Sequence, residues 1–478
     1  MKPKVILRRC SEYEPGRIAR VIGEGMDELG VRPRGRTLVK PNCVIAHRKF
    51  FSHAYTRPEF LDGLLQALQA RGGDVTELAV GERSGITVPT RYAFAEAGYP
   101  AVLRRRGVGA YYFDEVPQVE RPLSHPHALR QRLSVAQPVA RCDFLVNAPK
   151  FKAHPWTKVT FALKNYVGIQ DDRHRLIDHD YRLETKIVDL QEVIAPSLIV
   201  VDGVVAGQQT MLTPTPFPLG LIILGVNPVA VDSVCARIAG LDPREVRHIR
   251  IAHERGLGPV DLSDIDLSGD VTLDEARAQA AGFRLTLDRV EGVFNGGRSN
   301  LTVYAGPPWD PELADYCWGG CPGALIEAMH VVRVVQPGVF HEVRPMHIVF
   351  GRYEGQVIAR SGERVVFVGD CAGADGQVAG RSFNVQTVNG RSGHTEPRHA
   401  PSADLLVKLI GAVANVIRHR GKQVVRVRGC PVSVAEHVLY LALLGGTSNP
   451  YLHPSIVFRF AWHYGVSRLL RLWRVGLG

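Results

Sequence analysis

Short apolar runs alternate with stretches of helical period from Lys4 to about residue 300, and this alternation limits the fold more than any other feature of the chain. Lys4–Arg8, Thr37–Val39, Asp74–Val80, Ala110–Phe113, Phe144–Ala148, Ser197–Val201 and Leu219–Leu224 read as strands. Between them, Ala19–Leu29, Glu59–Ala70, Tyr92–Ala97 and Val229–Ile238 carry apolar residues at helical spacing. Such an order predicts an α/β domain with a mostly parallel sheet and flanking helices. A chain of 478 residues exceeds one ordinary domain. Gly296-Gly297 through Gly306-Pro307-Pro308 reads as a linker. We therefore expect a domain over 1–300 and a second, doubly wound α/β module over 301–478.

In an open α/β sheet, ligands bind at the carboxyl ends of strands. Four polar stretches fall there. Lys40-Pro41-Asn42 closes one strand, and Gly81-Glu82-Arg83-Ser84-Gly85 closes another. The third, Ala148–Gly168, holds Lys150, Lys152, His154, Lys164 and Asn165, with the strand ending at Ala148 and a helical period starting after Pro155. Cations and free N–H groups at a strand end and helix start suit an anion. Lys40, Asn42, Lys150, Lys152 and Asn165 are the candidate ligand-binding residues, with Asp232, in the first turns of a helix after Pro228, either facing the ligand or complementing the helix dipole. His154, Glu82 and Lys164 are the catalytic candidates, with His154 and Glu82 the acid–base pair because imidazole and carboxylate exchange protons near neutrality when tuned by their surroundings. A solvated basic loop and a plain turn are the competing readings. Asp171–Asp180, the fourth, crowds acids and imidazoles without a metal-ligand spacing, and is expected to be a polar loop beside the anion site.

The net charge of +11 admits an anionic small molecule, nucleic acid or an acidic membrane surface as partner. No nucleic-acid-binding motif accompanies it, so nucleic acid is disfavoured. No signal-like segment opens the sequence and no run of eighteen apolar residues occurs, so a cytoplasmic protein is expected. Eight cysteines there are free thiols or metal ligands rather than a disulfide framework. Cys10, Cys43, Cys142 and Cys235 stand alone and read as buried thiols.

Over residues 36 to 260 the chain resembles the domain of unknown function 362 family. The resemblance rests on Val39-Lys-Pro-Asn42, Gly81-Glu-Arg-Ser-Gly85, Lys150-Phe-Lys-Ala-His154 with Thr157, Thr160, Leu163-Lys-Asn165 and Gly168, Val201-Asp-Gly203, and Asn227-Pro-Val-Ala-Val-Asp232. It implies an α/β domain often found beside iron–sulfur modules, and implies no particular reaction. No closely spaced ferredoxin cysteine run is present, so no small ferredoxin insert is expected.

The remaining cysteines have distinct settings. Cys317-Trp-Gly-Gly-Cys321 precedes Pro322 and a helix, Ala324–Val335. Cys371 follows the apolar run Arg364–Gly369. Cys430 follows Gln423–Val427, ahead of a helix over Ser433–Leu444. Strand ends and helix starts share one edge of such a sheet, so all four thiols can converge. Four thiolates from glycine-flanked loops suit a [4Fe–4S] cluster. The Gly-Asp-Cys and Gly-Cys-Pro pieces resemble those of the cluster-binding small subunits of hydrogenases and of the quinone-reducing complex. Zinc and four metal-free thiols are the rivals, although zinc knuckles of the CxxC type are absent. Trp318 is expected to shield such a cluster.

The tail, Val457–Gly478, mixes aromatic and aliphatic residues with arginines, which fits helix docking on protein or peripheral contact with a membrane. Together these features predict an iron–sulfur oxidoreductase or reductive accessory enzyme acting on an anionic small molecule. The alternatives are a non-catalytic electron-transfer or cluster-carrying partner of a larger redox protein, and a redox-independent ligase-like or isomerising enzyme on a carboxylated or phosphorylated substrate.

Overall fold

The structure is a computed structural model that describes residues 1–47, 50–286, 288–312, 314–388, 405–418 and 421–475. It divides into two compact units. The first combines Met1–Asp171, Glu184–Thr286 and Phe460–Gly478; the second combines Asp172–Leu183 with Leu287–Arg459.

The first unit is built on a mixed, mostly parallel sheet flanked by helices. Its strands lie in the order Asp266–Gly269, Lys4–Arg9, Leu221–Gly225, Leu198–Gln208, Phe144–Ala148, Arg34–Pro41, Asp74–Glu82 and Gly109–Tyr112. From Leu198–Gln208 to Gly109–Tyr112 every neighbouring pair is parallel. Leu221–Gly225 runs antiparallel to both its neighbours. Most Val, Ile and Leu of these strands are buried, as expected where helices cover a sheet. Helix Pro15–Leu29 shows how one such cover is set. Pro15 opens it, the Glu14 carboxylate accepts from Gly16 N, and Gly30 closes it at a left-handed φ of 66°.

The chain leaves Arg34–Pro41 for Asp74–Glu82 and Gly109–Tyr112 on one side, then returns to Phe144–Ala148 on the other. This reversal creates a switch point between Pro41 and Ala148, where Lys40 pairs in register with Asn147.

The segment after Ala148 differs from its sequence reading. Lys150–His154 is itself a strand, paired with Leu198–Gln208 and, through a hairpin, with Lys158–Thr160. The helix begins only at Ala162. Apolar Phe151 and Ala153 alternate with longer polar side chains, a two-residue period that the density of lysines disguised. The expected linker is also partly a strand, Leu301–Ala305, whose alternating apolar residues lie between glycines.

The second unit holds a four-stranded, all-parallel sheet in the order Leu301–Ala305, Met346–Phe350, Arg364–Val368, Val424–Val427. Helices Cys321–Arg333, Leu405–Arg418 and Val434–Gly445 accompany it. Arg352–Ala359, Gly373–Val378 and Arg381–Val385 form a separate small sheet. Its Val357 and Val378 share a core with Val365 and Phe367 of the larger one. Among the described residues, no helix is long and apolar enough to cross a membrane.

Candidate functional site

The first unit carries its polar residues at the carboxyl edge of the parallel strands, divided between two buried networks. In one, Lys40 Nζ lies 2.8 Å from Glu82 Oε2 and donates to Asn165 Oδ1 at 3.1 Å. Asn42 Nδ2 also donates to Asn165 Oδ1, and Asn165 Nδ2 donates to Asn147 Oδ1. Backbone N–H groups of Cys43 and Arg83 donate to the Glu82 carboxylate. Gly168 is needed here, because a Cβ would overlap Glu82 Oε1 and crowd Lys40 Nζ. In the other network, Lys150 Nζ meets Asp202 Oδ2 at 2.8 Å and the Tyr13 hydroxyl at 2.7 Å. Tyr13 donates to Asp202 Oδ1, and Arg57 N donates to Asp202 Oδ2. Burial draws the Lys150 ammonium below its ordinary pKa, against the Asp202 carboxylate that holds it up.

The remaining candidates lie around these networks. Lys152 Nζ donates to the carbonyls of Ala54 and Met211. His154 accepts at Nδ1 from Trp156 N, with the two rings edge to face. Lys164 is buried on the short helix Ala162–Asn165. Asp232 is fully buried, and its two oxygens accept from the backbone N–H groups of Ala162 and Leu163. Burial lifts its pKa to about 7 despite those two donors. Asp232 thus serves the start of a neighbouring helix, Ala162–Asn165, rather than the dipole of its own. The loop after Asn42 is clasped to the edge: Thr56 Oγ1 donates to Ala148 O and accepts from Asn42 N. The expected basic patch is thus an interior, in which Lys40 and Lys150 already face carboxylates. The sequence reading missed Tyr13 and Asn147, and treated Asp202 only as a strand end.

In the second unit, Cys317, Cys321, Cys371 and Cys430 line one cavity with Asp180, Tyr181, Trp309 and several glycines. The route to it is regular. Each parallel strand ends there: Gly306 and Trp309 follow the first, Gly351 the second, Cys371 the third and Cys430 the fourth. Cys321 starts its helix, and its Sγ accepts from Val432 N at 3.2 Å. Backbone hydrogen bonds from Tyr181 and Gly351 reach Cys317 and Cys371. The glycines have reasons to be glycine. A Cβ on Gly319 would overlap the Asp180 carbonyl, one on Gly320 would come within 2.7 Å of Cys317 Sγ, and Gly369 holds a φ of 99°. Burial raises all four thiols above their ordinary pKa, Cys371 to about 11, and neighbouring thiols and Asp180 add to the rise at Cys317 and Cys430.

Within the Asp171–Asp180 cluster, Asp172–Leu176 is a short helix rather than loop. From Asp172 onward the cluster belongs to the second unit, where His179 Nδ1 lies 3.1 Å from Gly319 O and Arg182 pairs with Asp180. The tryptophan in the cavity wall is Trp309, whereas Trp318 packs on Tyr316. The Trp309 Nε1 atom is buried and has no hydrogen-bond partner among the described residues. Among those residues, no group of three or more His, Cys, Asp or Glu is arranged to hold a metal ion.

Residues 37–237 match the family described as a domain of unknown function (DUF362). A thylakoid-associated protein of Synechocystis sp. is 26% identical over 275 residues, covering 54% of this chain and 81% of that protein. The lactate racemase apoprotein from Thermoanaerobacterium thermosaccharolyticum aligns at 10% identity over 90% of this chain and 94% of its own, with a TM-score of 0.32. A Thermotoga maritima protein aligns at 11% identity over 72% and 74%, also with a TM-score of 0.32. Scores at that level do not establish a shared fold.

Proposed function

We propose that Cys317, Cys321, Cys371 and Cys430 bind a [4Fe–4S] cluster, and that the chain is a cytoplasmic iron–sulfur oxidoreductase or reductive accessory enzyme acting on an anionic small molecule at the carboxyl edge of the first unit. The observation that carries this reading is the shared cavity of four cysteines drawn from three separated loops. Three further features fit the group. Backbone N–H groups reach Cys317, Cys321 and Cys371, as suits thiolates that ligate a cluster. Glycines leave room around the sulfurs, and the unpaired Trp309 N–H belongs to the same wall. A lone zinc ion needs four ligands within about 2.3 Å of one point, whereas a four-iron cluster takes one thiolate at each iron.

When bound, the cluster supplies one-electron transfer. The residues of the chain do the rest. Each thiol gives up its proton on ligation, so loading is favoured as pH rises. Asp180, buried in the cavity wall, is paired with Arg182, so its charge is largely offset beside the cysteines. In the first unit, Lys152, His154 and Lys164 would orient the anion, while Glu82 and His154 exchange protons with it.

One observation favours a second reading, a cluster-carrying electron-transfer partner without a substrate of its own. Lys40 and Lys150 already meet Glu82 and Asp202, so the edge needs no ligand to balance them. The test joins both halves. Protein purified without oxygen is assayed for iron and sulfide, then titrated calorimetrically with small carboxylates and phosphates. Cys430→Ala should lose the iron, while Lys152→Ala and Lys164→Ala should keep it and weaken anion binding. Equal iron loss in both sets would refute the division of labour, and a loaded protein that binds no anion would select the electron-transfer partner.

A further inference from the structure

We propose that the outward face of the carboxyl-terminal helix docks the protein onto an anionic lipid surface, lying in the interface without crossing it. The helix is Pro454–Val475, and from Phe460 onward it belongs to the first unit. There its two faces differ sharply. One is packed: the Phe460 ring lies 5.2 Å from Tyr92, Ser467 Oγ donates to Asp114 at 3.3 Å, and Arg474 pairs with the buried Glu115. The opposite face is apolar and open. Trp462, Leu469, Leu472 and Trp473 are 70%, 69%, 45% and 79% exposed. At 3.6 residues per turn they fall within an arc of about 100°. The face opposite a docked one gains nothing from tryptophan and leucine in water, so such a stripe marks a contact surface.

Charge selects the occupant. Over Pro454–Val475 the helix carries Arg459, Arg468, Arg471 and Arg474 and no Asp or Glu, in a chain of net charge +11. Arg468 is exposed beside the stripe, about 40° from Leu472 around the helix. A second copy docking stripe to stripe would bring Arg468 toward its like-charged counterpart, because a two-fold interface uses the same patch twice. An anionic bilayer instead offers headgroup charge to the arginines and an acyl boundary to the apolar stripe. Tryptophan prefers that depth, where its ring is buried and its N–H stays wet. Residues 460–475 span about 24 Å at 1.5 Å per residue, and with arginine on the flank they suit the plane of the interface rather than its normal.

The test uses the full chain, purified without oxygen, and cosedimentation with two sets of vesicles. One set is phosphatidylcholine alone; the other is phosphatidylcholine mixed with phosphatidylglycerol. The proposal expects roughly tenfold stronger partitioning onto the anionic set, lost at high salt. Tryptophan emission should shift to the blue on binding. Trp462→Ser/Trp473→Ser should abolish binding with an unchanged circular dichroism spectrum, since both side chains are exposed. Arg468→Gln should weaken the preference for anionic vesicles. Equal partitioning onto both sets overturns the proposal. So does the absence of binding, and a concentration-dependent dimer in ultracentrifugation that Trp473→Ser dissolves would then assign the stripe to self-association.

Discussion

At the scale of single residues, the buried charges of the first unit give the clearest expectations. Lys150 and Asp202 are both fully buried, so removing one strands the other in a medium that cannot solvate it. Lys150→Met should cost about 3–5 kcal/mol in denaturant unfolding. Lys150→Met/Asp202→Asn should cost less than the single change, because a neutral amide replaces the stranded carboxylate; a double cost equal to the sum of the two single costs would mean that the pair is not coupled. Asp232 makes a pH prediction. Its folded pKa of about 7 lies above the ordinary value of 3.8, so the folded state holds the proton more tightly than the unfolded one. Its contribution is therefore fully present below about pH 4 and is lost as pH rises through about 7. The gap in unfolding free energy between about pH 5 and about pH 8 should narrow in Asp232→Asn, and an unchanged gap would assign the slope to other groups. Some of these residues were legible in the chain. Lys40, Asn42 and Glu82 stand at ends of apolar runs, where a strand stops and a polar group must find a partner. Tyr13 and Asn147 were not legible, because a partner close in space but distant in sequence leaves no local pattern.

At the scale of elements, strand ends and glycines decide the geometry. Gly168 lies where the Tyr166–Ile169 turn passes the Lys40–Glu82 pair. Gly168→Ala should push the carboxylate aside and cost about 1–3 kcal/mol of stability, read as a lowered unfolding midpoint. An unchanged midpoint would show that the turn can shift without disturbing the pair. The same logic explains Trp318-Gly319-Gly320: the two glycines let the His179–Asp180 backbone and the Cys317 sulfur approach. The run before Cys371 was readable as a strand, since a buried parallel strand is continuous Val and Phe, and the one before Cys430 was readable from its three Val around Arg426. Lys150–His154 was not readable as one. Its outward polar positions are lysines and a histidine, which in isolation look like a loop, and only burial against the Ala54 and Met211 carbonyls and Asp202 explains them.

At the scale of the whole molecule, alternation of strands and helices was enough to predict α/β architecture, but not how the chain is shared. Asp172–Leu183 interrupts the first unit and belongs to the second, where it supplies Asp180 to the cysteine cavity. Hydrophobic periodicity reports which face of an element is buried, and is silent on which neighbour buries it. The two-unit account makes iron loading depend on the second unit alone. Its most direct test is iron and acid-labile sulfide, with the electron paramagnetic resonance spectrum after reduction, on protein purified without oxygen beside its Cys371→Ala variant. The account predicts about four irons and four sulfides per chain, a reduced-cluster signal, and loss of both in the variant. A colourless protein that takes up no iron on anaerobic reconstitution would contradict it.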